Sequence, residues 1–182
     1  VYSQGSIFGN SGTALDMSEG GKDSHSYNEN ATTTGYYLAK FVSTVSGLLN
    51  PVQSSNAAHY NPLLRKSEVL LNYAEASNEA YGPVTPGEGS SVSAYDIMKS
   101  VRNLSGGIMS DAWLDECAAS TEKFRDLIQN ERRIELAFEN HRYFDMRRWL
   151  MPLNEDITGV EITRNEDNTF SFTEKVVEQR KY

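Results

Sequence analysis

The stretch Ile128-Gln-Asn-Glu-Arg-Arg-Ile-Glu-Leu-Ala-Phe-Glu-Asn-His-Arg-Tyr-Phe-Asp-Met-Arg-Arg-Trp149 carries the strongest structural signal in the chain. Together with the residues before it, it places Phe124, Leu127, Ile128, Ile134 and Phe138 at helical spacing. Ser120 or Thr121 suits the N-cap, and Glu122 falls in the positive first turn. The spacing predicts a helix over 121–139, a break at Asn140 and a short helix over 141–150 that buries Tyr143, Phe144 and Met146. The same stretch interleaves Glu131, Arg132, Arg133, Glu135, Glu139, Arg142, Asp145, Arg147 and Arg148. Glu131 and Glu135 lie one turn apart, as a catalytic carboxylate pair would. His141 and Asp145 are also one turn apart, but two ligands do not make a metal site. Opposite charges mixed this closely predict ion pairs between helices, with Glu131, Arg132 and Arg133 tied to neighbouring helices.

Upstream, Pro62 opens a second periodic region in which Leu63, Ser67, Leu70, Leu71, Ala74 and Asn78 recur at helical steps up to the stop at Gly82-Pro83. This predicts a helix over 62–81, and Ala94, Ile97, Met98 and Val101 predict another over 93–104. Beyond Pro152, the alternation Val160, Ile162 and Phe170, Phe172 predicts a small hairpin turning around Asn165–Asn168. Three segments result: a loop-rich 1–61, a helical 62–150 and a C-terminal 151–182.

The first segment differs in kind. Gly, Ser, Asn and Thr make up 27 of its first 60 residues, which favours turns over long regular elements. It nevertheless holds Tyr2, Phe8, Tyr27, Tyr36, Tyr37, Phe41 and Tyr60, too many aromatics for a disordered chain. An irregular packed layer is expected, with 36–42 as its one approach to a strand or helix start. Sugar rings offer a C–H face that packs on Tyr or Trp, and hydroxyls that Asn and Asp bind. Tyr2, Phe8, His25, Tyr27, Asn28 and Asn30 are therefore the candidate carbohydrate-binding residues, set against the plainer reading that these rings only anchor the loops.

Composition narrows the classes further. A net charge of −8 opposes binding to nucleic-acid phosphates. The single Cys117 excludes a disulfide within the chain and reads as a small core residue. No run of roughly eighteen apolar residues is present to span a bilayer. No nucleophile elbow, zinc-protease, phosphate-loop or dinucleotide motif occurs, so neither an enzyme nor a cofactor is expected.

Three stretches together resemble the SusD/RagB family of starch-utilisation-type lipoproteins: Leu64–Glu79 (LRKSEVLLNYAEASNE), Ile97–Arg102 (IMKSVR) and Ile128–Trp149. The resemblance covers about residues 62–150, and Asn140 stands where the family usually has Gly. It implies a mostly α fold, a tetratricopeptide-like right-handed helical superhelix carrying an irregular loop-rich layer. It also implies an oligosaccharide ligand, a TonB-dependent (SusC-like) transporter as partner, and a surface-exposed place on the cell outer membrane held by an N-terminal lipid anchor. The chain would then be part of a longer protein, without the lipid-bearing cysteine and ending at Arg180-Lys181-Tyr182 before the family's closing segment. The resemblance transfers no binding residue. The competing class is a helical-repeat module that binds protein and no sugar.

Overall fold

The computed structural model describes residues 1–7, 13–41 and 62–180. The chain divides into two compact units, Pro62–Leu150 and a second formed by Val1–Asn61 with Met151–Tyr182. The first holds α1 (Lys66–Tyr81), α2 (Ala94–Gly106), α3 (Ala112–Cys117), α4 (Thr121–Glu135) and α5 (His141–Arg148). The second holds β1 (Ile157–Arg164) and β2 (Phe170–Glu178). No helix among the described residues is long and apolar enough to cross a membrane.

Local chemistry sets the helix ends. Ser93 and Asp96 form a capping box that starts α2, and Gly107 ends it with a left-handed φ of 66°. Asp111 caps α3 by accepting from the Leu114 N–H, and Ser120 caps α4 by accepting from the Lys123 N–H. α1 starts at Lys66, four residues later than Pro62 suggests. Arg65 stays extended (φ −120°, ψ 154°), and its guanidinium is held by Glu135 and Glu139, at 3.0 and 2.7 Å. Leu63 is left 96% exposed. The short α3 is absent from the sequence-based expectations.

The core of the helical unit is Leu71 and Ala74 from α1, Ala94, Met98 and Val101 from α2, Leu114 and Cys117 from α3, and Phe124, Leu127 and Ile128 from α4, closed by Leu136. α1 packs on both α2 and α4. Asn78, fully buried, donates from Nδ2 to the Thr121 carbonyl at 3.1 Å and so ties the end of α1 to the start of α4.

The stretch from 128 to 149 departs from its apolar reading in an instructive way. Ile134 and Phe138 are 60% and 61% exposed, and Tyr143 and Phe144 are exposed too. α4 ends at Glu135, and Phe138 and Asn140 take left-handed φ of 64° and 63°, turning the chain before the expected helix end. The inward stripe of α4 runs instead from Phe124 through Leu127 and Ile128 to Glu131 and Arg132. Its last inward turn is therefore charged, and every charge has a partner. Glu131 accepts from Arg102 at 2.7 Å, and Arg102 also donates to Asp111. Arg132 donates to both carboxylate oxygens of Asp145, at 3.1 and 3.2 Å, and to Asn72 Oδ1 at 2.6 Å. Arg148 bridges Asp145 and Glu75, and the Trp149 indole N–H donates to Glu75 at 2.8 Å. Burial pushes the Glu75 carboxyl up, but bonds from Arg148 and Trp149 outweigh it and hold it below its ordinary value. Arg133 is exposed and belongs to no ion pair among the described residues, against its expected role.

In the second unit β1 and β2 pair antiparallel, with Val160 opposite Glu174 and Ile162 opposite Phe172, longer at both ends than the 159–172 pattern suggests. The turn follows from Asp167, which accepts from the Thr169 N–H at 2.9 Å and hydroxyl at 2.6 Å, and from Asn168 at a φ of 64°. Of the expected element at 36–42, residues 36–41 form neither strand nor helix, Tyr37 makes a single bridge to Tyr2, and Val42 lies outside the described residues.

Removing Asp145 leaves a buried guanidinium uncompensated, so Asp145→Ala is expected to cost about 3–5 kcal/mol in urea unfolding. Ile134→Ser, at an exposed site, is expected to stay within about 0.5 kcal/mol.

Candidate functional site

In the strand-bearing unit the irregular residues are clamped to the free edge of β1. The Glu19 N–H donates to the Ile162 carbonyl at 2.9 Å, and the Val160 N–H donates to the Thr34 carbonyl at 2.8 Å. Between these bonds the chain runs through consecutive turns, closed by Ser24→Gly21, Tyr27→Ser24, Asn28→Ser24 and Ala31→Asn28 backbone bonds. Gly35 is required where the chain meets the strand. Its φ is +76°, and a Cβ there would lie 2.5 Å from the Val160 carbonyl oxygen.

The base of this loop is organised by Asp16. Its carboxylate accepts from the Ser18 hydroxyl at 2.6 Å, Gln4 Nε2 at 3.3 Å and Arg164 at 2.6 Å. Asp16 and Asp23 also bond reciprocally: the Asp16 N–H donates to the Asp23 carboxylate, and the Asp23 N–H to the Asp16 carbonyl, each at 2.9 Å. Gly21 packs so closely on Asp16 that a Cβ would lie 2.5 Å from its carbonyl oxygen. The Tyr37 hydroxyl donates to the Asp23 carbonyl at 3.0 Å, so this ring serves as a strut.

Loop and strand enclose a hollow of about 210 Å³. Its polar lining comes from Glu19, Asp23, Ser24, His25, Ser26, Thr32, Thr33, Glu161 and Lys175, over apolar Met17, Val160 and Ile162. Lys175 and Glu161 stand 3.8 Å apart across the hairpin.

The candidate residues separate on this frame. His25 lines the hollow, with Nδ1 3.2 Å from the Ala31 carbonyl oxygen. Tyr27 is in the same turn and 70% exposed. Asn28 and Asn30 are exposed beside it, and the Asn28 side chain accepts from the Asn30 N–H at 3.0 Å. These four therefore share one loop. Tyr2 is elsewhere, half-buried and exchanging backbone bonds of 2.8 and 3.0 Å with Tyr37. Phe8 lies outside the described residues. The sequence reading passed over every polar lining residue except His25, and Glu161 and Lys175 among them reach the hollow from the hairpin. Their one local signal is outward alternation on a strand.

The helical unit holds no such arrangement at the carboxylates weighed as catalytic. Glu131 is bonded to Arg102 and Glu135 to Arg65. His141 Nε2 lies 3.5 Å from Glu68, while Asp145 is taken by Arg132 and Arg148. Among the described residues no group of three or more His, Cys, Asp or Glu is placed to hold a metal ion.

The sequence model of the SusD family matches residues 3–182. The chain belongs to the SusD family. It is similar to SusD-like protein P2 of Formosa agariphila, with 32% identity over 123 residues, 68% of this chain and 23% of the relative. The chain thus spans about a quarter of the length of the curated relative it matches. No solved structure matches it.

In this SusD-family chain the base of the loop rests on an ionised carboxylate, Asp16, held by Ser18 and Arg164. Burial raises the Asp16 carboxyl, but bonds from Ser18 and Gln4 and the nearby Arg164 charge outweigh it, leaving its pKa below the ordinary 3.8. A carboxyl depressed in the folded state contributes stability above its unfolded pKa and loses it as pH falls through the folded one. Protection of the amides of residues 16–24, taken as exchange relative to the intrinsic rate at each pH, is therefore expected to fall as pH drops below 3.8, and Asp16→Asn to abolish that acid dependence. Acid-independent protection in the unsubstituted chain would remove Asp16 from this role.

Proposed function

We propose that this SusD-family chain is part of a cell-surface protein that captures oligosaccharides without cleaving them. The observation that carries this reading is the loop with His25, Tyr27, Asn28 and Asn30, clamped to β1 beside a polar hollow. An exposed tyrosine can stack on a sugar's C–H face, while His25, Thr32, Thr33 and Lys175 offer hydrogen bonds to its hydroxyls. Glu19, Asp23 and Glu161 outweigh Lys175 in charge, which favours neutral glycans over uronates or sulfated sugars. Stacking contributes roughly 25 cal/mol per Å² of apolar area removed from water, so a few contacts give about micromolar to millimolar binding once ordering costs are met.

The wider reading rests on family membership. Residues 62–150 would supply part of a tetratricopeptide-like right-handed superhelix, with 1–61 as the ligand-bearing layer and 151–182 as the hairpin segment. The whole protein would deliver its glycan to a TonB-dependent, SusC-like transporter while held in the outer membrane by an N-terminal lipid. A second reading, a helical protein-interaction module, is favoured by the exposed Phe138, Tyr143 and Phe144, the last two in edge-to-face contact at 5.1 Å.

Calorimetry against neutral and acidic oligosaccharides is expected to show binding by at least one neutral sugar, without release of reducing ends. Tyr27→Ala is expected to weaken it about tenfold or more, the loss of some 1.4 kcal/mol of stacking. Absence of binding across the panel, or accumulation of reducing ends, would sink the capture reading.

A further inference from the structure

The chain has two tryptophans, and they are used differently. Trp149 is part of the helical unit's polar lattice: its N–H donates to Glu75 and its ring lies 4.7 Å from the Arg148 guanidinium. Trp113, on the short α3, is 56% exposed. Among the described residues its ring has no aromatic or cationic partner and its N–H has no acceptor. It forms one wall of an open cavity of about 280 Å³, whose other residues are Cys117, Lys123, Asp126, Leu127 and Asn130.

The chemistry around the ring is specific. Cys117 and Leu127 are buried and form an apolar floor. The side chains of Asp126 and Asn130, one turn apart on α4, stand on the same face, exposed and in no hydrogen bond with another described residue. Lys123 is a further turn back, held loosely at 3.6 Å from Glu116 with both side chains 59% exposed. A flat ring beside an unengaged carboxylate and amide matches a pyranose, whose C–H face stacks while neighbouring hydroxyls donate to Asp126 and exchange bonds with Asn130. Lys123 is already paired with Glu116, so Asp126 leaves a negative charge beside the ring, which disfavours acidic sugars. A protein partner would meet Trp113 as a lone anchor ringed by polar groups, whereas interface anchors sit in desolvated clusters.

We infer that Trp113, Asp126 and Asn130 form a second oligosaccharide-binding site, selective for neutral sugars and separate from the His25–Asn30 loop. The inference takes its ligand class from the capture reading above; its site stands on its own geometry. A second weak site on one chain raises retention of a long glycan through effective concentration.

Tryptophan emission of the chain, titrated with maltohexaose, cellohexaose and xylohexaose, reads this site directly. At least one sugar is expected to blue-shift the emission, and Trp113→Ala to abolish the shift while Trp149→Phe retains it. Asp126→Ala and Asn130→Ala are expected to raise the half-saturating concentration about tenfold each, the effect of losing some 1.4 kcal/mol. Should Trp149→Phe fail to fold, the fluorine resonance of Trp113 in fluorotryptophan-labelled chain, assigned with Trp113→Phe, gives the same reading. Tyr27→Ala is expected to leave the Trp113 response unchanged. Loss of that response in Tyr27→Ala would merge the two sites and overturn the inference. So would the absence of any shift with all three sugars, a shift that survives in Trp113→Ala, or one that follows protein concentration and not sugar. The first site's calorimetric signal, lost in Tyr27→Ala and kept in Trp113→Ala, reports separately on the capture reading.

Discussion

Arg132, only 4% exposed, is the constraint around which the helical unit is arranged. A guanidinium taken out of water is tolerated only when its donors are met, and here three bonds go to two residues. Two bonds reach Asp145 on α5 and one reaches Asn72 on α1. One side chain of α4 thus fixes the positions of two other helices. α5 depends on this more than the rest, since Asp145 and Met146 are its only fully buried residues. Its attachment is completed by Arg148 and Trp149, both bonded to Glu75. This accounts for a segment that is central to the fold yet rich in charge.

The same constraint explains where sequence reading succeeded and where it failed. Ends written in local chemistry were legible at the Ser120 cap and at the turn at Asn140, which a φ of 63° admits with little strain for this residue type; the Ser93–Asp96 box was passed over. The inward face of α4 was misjudged because apolar character was taken as the mark of burial. Glu131 and Arg132 go inward because partners wait there, and Ile134 and Phe138 are left outside. Those partners, Arg102, Asn72 and Asp145, are distant in sequence or on another helix, and no periodicity announces them. α3 was overlooked because a helix of six residues has too few turns to show a period, although the Asp111 cap and the Leu114, Cys117 spacing were available. Of the candidate site, the turn-rich run from His25 to Asn30 could be read from composition. Glu161 and Lys175 could not be placed beside it, because the backbone bonds at Glu19 and Thr34 that bring β1 to the loop carry no side-chain signal.

An isolated two-stranded hairpin is marginal in water, and turns without regular structure are no better. Here each compensates for the other. The outer edge of β1, which would otherwise present unpaired groups, is met at Ile162 and Val160 by the loop. Met17 and Ile162 are buried in the same unit, and the Arg164–Asp16 pair joins the strand's end to the loop's base. The residues beside the hollow are therefore carried on a frame whose order comes from main-chain bonds and from the compact Asp16–Asp23 turn.

Anchoring by main-chain bonds on either side of a variable stretch has an evolutionary consequence. Residues 25–33 run between the Asp16–Asp23 turn and the Thr34 bond, and side chains of this stretch supply none of the main-chain bonds to β1. Lengthening such a stretch is inexpensive, since doubling a flexible segment adds only about 0.6 kcal/mol of closure entropy. Insertions and wholesale replacement between the anchors would alter the side chains beside the hollow while leaving the strand and its partner intact. A lineage could exchange this cassette without redesigning its scaffold.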